Sequence, residues 1–158
     1  AGEGTTMRIY LPCLEPGEMK GEGAWSNDPA ARPGSGYAVL VIEDEETVRD
    51  LACDLLKSRG YSVMVAEDGL GGLEVFRQHH HEIDLVVLDL LMPGPDGTEI
   101  FNQLKYIQSD IPIVIATGLR EVQEVGQLLD SGADGVILKP FAIEDFLSKI
   151  EKVLKKNG

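Results

Sequence analysis

The sequence feature that most constrains the fold is a short apolar run that ends on a single carboxylate. The run LVVL (residues 85–88) is followed by Asp89 and then by the Pro/Gly-rich segment LLMPGPDG. It is too short for a helix and rich in β-branched residues, so it predicts a strand buried on both faces. Parallel α/β sheets bind ligands at the carboxyl ends of their strands, where Asp89 would lie. Asp89 is therefore either a loop cap or part of a ligand site.

The same strand-then-helix alternation recurs along the chain from Tyr37 onward. Strands are predicted at residues 38–42, 61–65, 85–89, 111–116 and 135–138. Each is followed by apolar residues at helical spacing, which predict helices near residues 48–56, 70–76, 100–107, 122–129 and 143–154. Five such units predict an α/β fold with a five-stranded parallel sheet, covered by helices on both faces because the crossovers are right-handed.

Polar residues follow four of the five predicted strands. Glu43 and Asp44 follow the first strand, Asp89 ends the third, Thr117 follows the fourth and Lys139 ends the fifth. Each alone is compatible with a cap or a surface charge, but parallel strands bring all of them to one sheet edge. Because like charges would meet there, at least one carboxylate is expected to have a raised pKa in the absence of metal.

These residues resemble the receiver domain of two-component response regulators. The resemblance rests on the acidic pair at residues 43–44, LDLLMPGPDG at 88–97, TG at 117–118 and KPF at 139–141, and it covers Tyr37 to about Lys156. It implies a flavodoxin-like, doubly wound (βα)5 fold with strand order 2-1-3-4-5. It also implies a function in a phosphorelay, in which a receiver accepts a phosphoryl group from phosphohistidine.

The resemblance implies a role for each site residue. Asp89 would accept the phosphoryl group, and Asp44 would bind Mg²⁺ (or Mn²⁺) directly. Glu43 would act mainly through a metal-bound water, although the family most often has Asp there. The backbone carbonyl of Leu91 would also coordinate the ion. Mg²⁺ prefers oxygen ligands and keeps several waters, which agrees with such a set.

The resemblance also covers the last two strands. Thr117 would bind a phosphoryl oxygen after transfer, and Lys139 would pair with Asp89 or its phosphate. The Lys139–Pro140 bond is expected to be cis. Val136 stands where the family has its switch aromatic, so coupling of Thr117 movement to an aromatic side chain is not expected, and Val136 is interpreted as a core strand residue.

Charge and hydropathy restrict the partners. The net charge of −13 argues against direct contact with nucleic acid or an anionic membrane. The resemblance implies instead the phosphoacceptor (dimerisation) domain of a histidine kinase or a histidine phosphotransfer protein, in the cytoplasm, with a parent that can be membrane-anchored.

The three consecutive histidines at residues 79–81 point in different directions on a helix, so they are interpreted as a solvated helix end rather than a metal site.

The amino-terminal segment carries a second, shorter resemblance. GEGTTMRIYLP (residues 2–12) is similar to the last glycine box and following strand of the histidine kinase ATP-binding domain. Residues 13–36 are rich in Pro and Gly and are interpreted as a flexible linker to a receiver domain at 37–158. Together they suggest a fragment of a hybrid sensor histidine kinase with no DNA-binding output domain, whose own chemistry is limited to self-phosphotransfer and autodephosphorylation.

Two other function classes compete with a phosphorylated receiver. A pseudo-receiver would serve only as a protein-interaction module, and the intact set of acidic, Thr and Lys residues argues against it. Phosphohydrolases of the haloacid-dehalogenase type carry a second Asp two residues after the nucleophile, but here that residue is Leu91.

The linker interpretation predicts that residues 1–36 contribute little to the stability of the receiver, because their Pro/Gly content leaves few ways to bury them. Deleting them should leave the thermal melting temperature nearly unchanged. A decrease of about ten degrees or more, equivalent to roughly 2 kcal/mol for a domain of this size, would contradict the interpretation.

Overall fold

The computed structural model describes residues 36–118, 126 and 129–157. They form a five-stranded parallel sheet in the order β2-β1-β3-β4-β5, which confirms the predicted fold class and strand order. The strands are β1 (Ala38–Ile42), β2 (Ser62–Ala66), β3 (Leu85–Asp89), β4 (Ile113–Gly118) and β5 (Gly135–Lys139). The helices are α1 (Glu46–Ser58), α2 (Gly69–His79), α3 (Gly97–Ile107) and α4 (Ile143–Asn157).

Two predicted segments lie wholly or mainly outside the described residues. The kinase-like segment and linker (residues 1–36) are described only at Gly36, and the predicted helix at residues 122–129 only at Gly126 and Leu129, both helical. Within the described residues, the second and fourth strands begin one and two residues later than predicted.

The sheet separates two apolar cores, and alternate residues of each strand supply one or the other. Residues of β1, β3 and β4 facing one side pack against α2 and α3, where Phe76 and Phe101 are almost fully buried. The intervening residues pack with α1 and α4, where Leu56 and Phe146 are equally buried. Burial on both faces explains why β3 is continuously apolar and has no polar alternation.

Glycines allow helices to approach the strands near the carboxyl edge. A Cβ atom on Gly97, the first residue of α3, would lie 2.5 Å from the Cα atom of Leu90. A Cβ atom on Gly72 in α2 would overlap the side chain of Ile42. Gly72, which sequence propensity alone treats as a weakness in the helix, is therefore required for the packing of α2 on β1.

At the amino edge of the sheet, carboxylates bind backbone amides. Asp84 Oδ2 accepts a hydrogen bond of 2.7 Å from the N–H of Ala38, and Asp134 Oδ2 accepts one of 3.1 Å from the N–H of Ile113. These bonds satisfy donors where β1 and β4 begin.

The histidine run lies at the end of α2, as the sequence predicts. His79 is the last helical residue, and its Nδ1 atom is 3.4 Å from Glu82 Oε1. His80 and His81 follow in the turn, where His81 is exposed. No helix in the described part of the chain has the length and apolar character needed to cross a lipid bilayer.

Candidate functional site at the carboxyl edge of the sheet

The strand register brings the acidic loop beside the carboxylate of β3. Ile42, the last residue of β1, pairs with Leu88, so Glu43 lies level with Asp89. Asp44 follows in the loop before α1. One carboxylate oxygen from each of Glu43, Asp44 and Asp89 lies within 4.8 Å of the other two.

The register of β4 and β5 adds the two remaining predicted residues. Asp89 pairs with Ala116, so Thr117 lies one residue further toward the carboxyl edge. Gly118, next in β4, pairs with Lys139 at the end of β5. The structure therefore places all five predicted side chains at the same edge.

Lys139 bridges two of the carboxylates. Its Nζ atom donates hydrogen bonds of 2.6 Å to Glu43 Oε2 and 2.6 Å to Asp89 Oδ2. Both acidic side chains are only 5% exposed. Burial of a charge is costly unless the charge is paired and hydrogen-bonded, so this double contact is what allows two acids to lie side by side in the protein.

The cluster binds protons more tightly than its separated groups would. Burial raises the pKa of Glu43 to about 7, with a further increase from the charge of Asp89, although the hydrogen bond from Lys139 opposes both. Burial acts to lower the pKa of Lys139, but its hydrogen bonds to Asp89 and Glu43 leave that pKa raised. The prediction of a raised carboxylate pKa is confirmed, but burial is its largest cause and repulsion by the charge of Asp89 is a smaller one.

The donor set fits a hard divalent cation. The three carboxylates offer the oxygen ligands that Mg²⁺ prefers, and they are the group with metal-binding spacing in the part of the chain that the structure describes. Leu91 lies next to them, and its N–H donates a 2.9 Å hydrogen bond to Asp89 Oδ1. Coordination by the Leu91 carbonyl stays a prediction.

The Thr117 hydroxyl differs from the other polar groups of the site. The residue is fully buried, and within the described ranges its Oγ1 atom has no hydrogen-bond partner. Buried polar groups are almost always hydrogen-bonded, so an orphaned hydroxyl calls for an explanation. Glu43, Asp89 and Thr117 are the buried polar residues among those described, and all three lie at this edge.

The structure also shows contacts that the sequence did not predict. The Nη1 atom of Arg49 donates to the backbone carbonyls of Glu43 and Asp44, at 2.9 and 3.1 Å. Lys139, expected to pair with Asp89, also pairs with Glu43. A basic residue in the first turns of a helix is a weak signal, because most such residues face solvent.

The two remaining expectations concern β5 and the residue that follows it. The Lys139–Pro140 peptide bond is cis, as predicted. Val136 pairs with Ile115 in β4, which confirms that it is a strand residue, but it is only half-buried and belongs to neither apolar core, so its interpretation as a core residue is wrong.

The chain combines a doubly wound α/β domain with three carboxylates, a lysine and a threonine at the carboxyl edge of the sheet. This combination is typical of phosphate-accepting receiver domains. The chain belongs to the response regulator receiver domain family of two-component signalling, whose profile matches residues 39–151.

Curated relatives include response regulators named MprA. The protein from Mycobacterium sp. (strain KMS) is 37% identical over 120 residues, which cover 76% of this chain and 51% of that protein. The protein from Mycobacterium leprae (strain TN) is 37% identical over 118 residues, covering 75% and 51%. The chain therefore spans about half the length of these relatives.

Solved structures of receiver domains are similar to this chain, in agreement with the family assignment. A response regulator receiver domain protein from Clostridium thermocellum is similar with a TM-score of 0.73 and 28% identity, covering 76% of this chain and 95% of that one. A CheY-like receiver domain protein from Methanospirillum hungatei JF-1 is similar with a TM-score of 0.71 and 25% identity, covering 78% and 97%.

The raised pKa of Glu43 predicts a pH-dependent loss of metal-free stability. The pKa of Glu43 is 4.5 in the unfolded state and about 7 in the folded state. Between these two pH values the folded state holds a proton that the unfolded state has lost. The contribution of Glu43 is therefore fully present below pH 4.5 and falls as the pH rises through 7, by about 3 kcal/mol in total. Urea unfolding in EDTA across this range should show the decrease.

Glu43→Gln should remove this part of the pH dependence, because Gln mimics the protonated acid. The exposed Glu74→Gln change in α2 is the matched control and should leave the slope unchanged. Parallel stability curves for Glu43→Gln and the unsubstituted protein would show that Glu43 does not titrate in this range.

Proposed function

We propose that this domain is a phosphoacceptor, in which Asp89 receives a phosphoryl group from a phosphohistidine. The observation that carries the proposal is the burial of Glu43, Asp89 and Thr117 at one edge, with the Thr117 hydroxyl unpartnered among the described residues. Replacing buried ionic groups with well-packed apolar ones is often neutral or stabilising, so stability alone does not account for this set. An incoming phosphoryl group would supply the acceptor that the hydroxyl lacks.

The proposed chemistry is a transfer between two nucleophiles. A carboxylate oxygen of Asp89 forms a bond to phosphorus while the bond from phosphorus to the histidine nitrogen breaks, and the nitrogen keeps the electron pair. The product is an acyl phosphate, a known outcome for aspartate nucleophiles. Lys139, already 2.6 Å from Asp89 Oδ2, offers positive charge to the transferred group. The Thr117 hydroxyl donates to a phosphoryl oxygen.

We propose Mg²⁺, or Mn²⁺, as the cofactor of this transfer. Asp44 and Asp89 would hold the ion directly, with the Leu91 carbonyl, and Glu43 would act mainly through a bound water. When bound, the ion supplies positive charge to the phosphoryl oxygens, which phosphoryl transfer requires more than covalent assistance. The close approach of the three carboxylates, with Lys139 bonded to two of them, supports this role.

The proposed partner is a protein that carries a phosphorylated histidine. This is either the dimerisation domain of a histidine kinase or a histidine phosphotransfer protein, and it must present its histidine to the carboxyl edge. The net charge of −13 does not favour nucleic acid as a partner of this chain. We propose a cytoplasmic location, where such partners carry out their transfer.

For the parent protein we propose a hybrid sensor histidine kinase, with residues 1–12 as the end of its ATP-binding domain and 13–36 as a linker. Support comes from the motif GEGTTMRIYLP, which lies outside the described residues. The curated relatives are response regulators, and the similarity covers 76% of this chain. Phosphorylation of this chain by its own parent kinase, at a rate exceeding that with unrelated kinases, would support the hybrid arrangement.

Phosphorylation by a small donor tests the acceptor role directly. Incubation with acetyl phosphate and Mg²⁺ should add one labile phosphoryl group, detected by intact-protein mass, and EDTA should prevent it. Asp89→Asn should abolish the addition. Asp68→Asn is the matched control, since Asp68 caps α2 at the same edge and Asn caps equally well.

Unchanged mass in the unsubstituted protein, with the fold intact by circular dichroism, would favour a pseudo-receiver. Addition that persists in Asp89→Asn would assign the acceptor to another residue.

A further inference from the structure

The loop between β1 and α1 is held by a cation that the proposed transfer does not use. Arg49 lies in the first turns of α1 and is half-buried. A single nitrogen, Nη1, donates to the backbone carbonyls of both Glu43 and Asp44. These are the two consecutive residues whose carboxylates enter the acidic cluster.

Lys139 holds the Glu43 carboxylate by a 2.6 Å bond, and the other contacts of this loop are few within the described ranges. The N–H of Glu43 donates to the carbonyl of Ala66 at 3.1 Å, and the N–H of Glu45 reaches Glu43 Oε1 only at 3.4 Å. Glu45, the N-cap of α1, makes no side-chain capping bond. Asp44 therefore depends on Arg49 for the orientation of its peptide group.

We propose that Arg49 is a positioning residue for the metal site, an inference that rests on the proposed function. Its two hydrogen bonds hold the carbonyls of Glu43 and Asp44 toward α1, and this orientation directs the two carboxylates toward Asp89 and the ion. Bonds from a charged donor are stronger than those between neutral groups, so one guanidinium fixes both peptide units. The backbone of Arg49 is itself fixed, because its N–H donates to the Glu45 carbonyl at 2.9 Å.

Simple electrostatics and positioning predict opposite effects when Arg49 loses its charge. Removing a positive charge from the loop that carries Glu43 and Asp44 strengthens the attraction of the site for a divalent cation. Loss of the two carbonyl contacts instead frees the loop and weakens binding, as for other residues that orient metal ligands. The direction of the change in Mg²⁺ affinity therefore separates a positioning role from a purely electrostatic one.

The experiment measures the Mg²⁺ dissociation constant by calorimetry for the full chain and three variants. Arg49→Met, which keeps much of the aliphatic stem, should weaken binding about tenfold. Arg49→Lys, which keeps the charge, should recover part of the loss. Arg77→Met is the charge-matched control: Arg77 is exposed near the end of α2, at the opposite sheet edge, and should leave the constant unchanged.

Equal or tighter Mg²⁺ binding by Arg49→Met would overturn the positioning role and leave the metal site intact. If Arg49→Met fails to fold, Arg49→Lys decides, because weaker binding at constant charge supports positioning and unchanged binding contradicts it. Absence of Mg²⁺ binding to the unsubstituted protein would overturn the metal site of the proposed function, and this inference with it.

Discussion

The contact on which the site depends is the bridge from Lys139 to Glu43 and Asp89. Its two 2.6 Å bonds link β5 to the ends of β1 and β3 and compensate two buried carboxylates with one cation. The compensation is incomplete, because one lysine faces a cluster of three carboxylates. A site with surplus negative charge is poised to bind a further cation, and a cation beside Asp89 is what a phosphoryl acceptor needs.

The two edges of the sheet differ in how well their polar groups are hydrogen-bonded, and this difference lowers the stability of the carboxyl edge. At the amino edge, Asp84 and Asp134 accept bonds from backbone N–H groups where strands begin. At the carboxyl edge, Thr117 is buried without a partner among the described residues. Because an unsatisfied buried hydroxyl costs about 1–3 kcal/mol, the carboxyl edge is less stable than an apolar edge of the same shape. A buried hydroxyl with this cost supports the proposal that the carboxyl edge is a functional site.

Much of the fold could be predicted from the sequence, since each described strand contains an apolar run and each described helix has an apolar stripe. The meeting of the polar residues at one sheet edge could be predicted from the parallel arrangement of the strands. The strand order was predicted from the family resemblance. Contacts set by side-chain length could not be predicted. The reach of Glu43 to Lys139 and of Arg49 to two carbonyls depends on rotamers that one sequence does not encode locally. The kinase-like strand and the linker stay predictions, because residues 1–35 lie outside the described part of the chain.

The central claim is that Thr117 is kept for a phosphoryl group at the expense of stability. The most direct measurement is the unfolding free energy of Thr117→Val and the unsubstituted protein, with EDTA and with Mg²⁺ plus the phosphoryl mimic beryllofluoride, using exposed Thr47→Val as control. The account predicts that Thr117→Val is more stable in EDTA, by about 1 kcal/mol, and gains less from Mg²⁺ and beryllofluoride. A variant that is less stable in EDTA and gains equally from the mimic would contradict it.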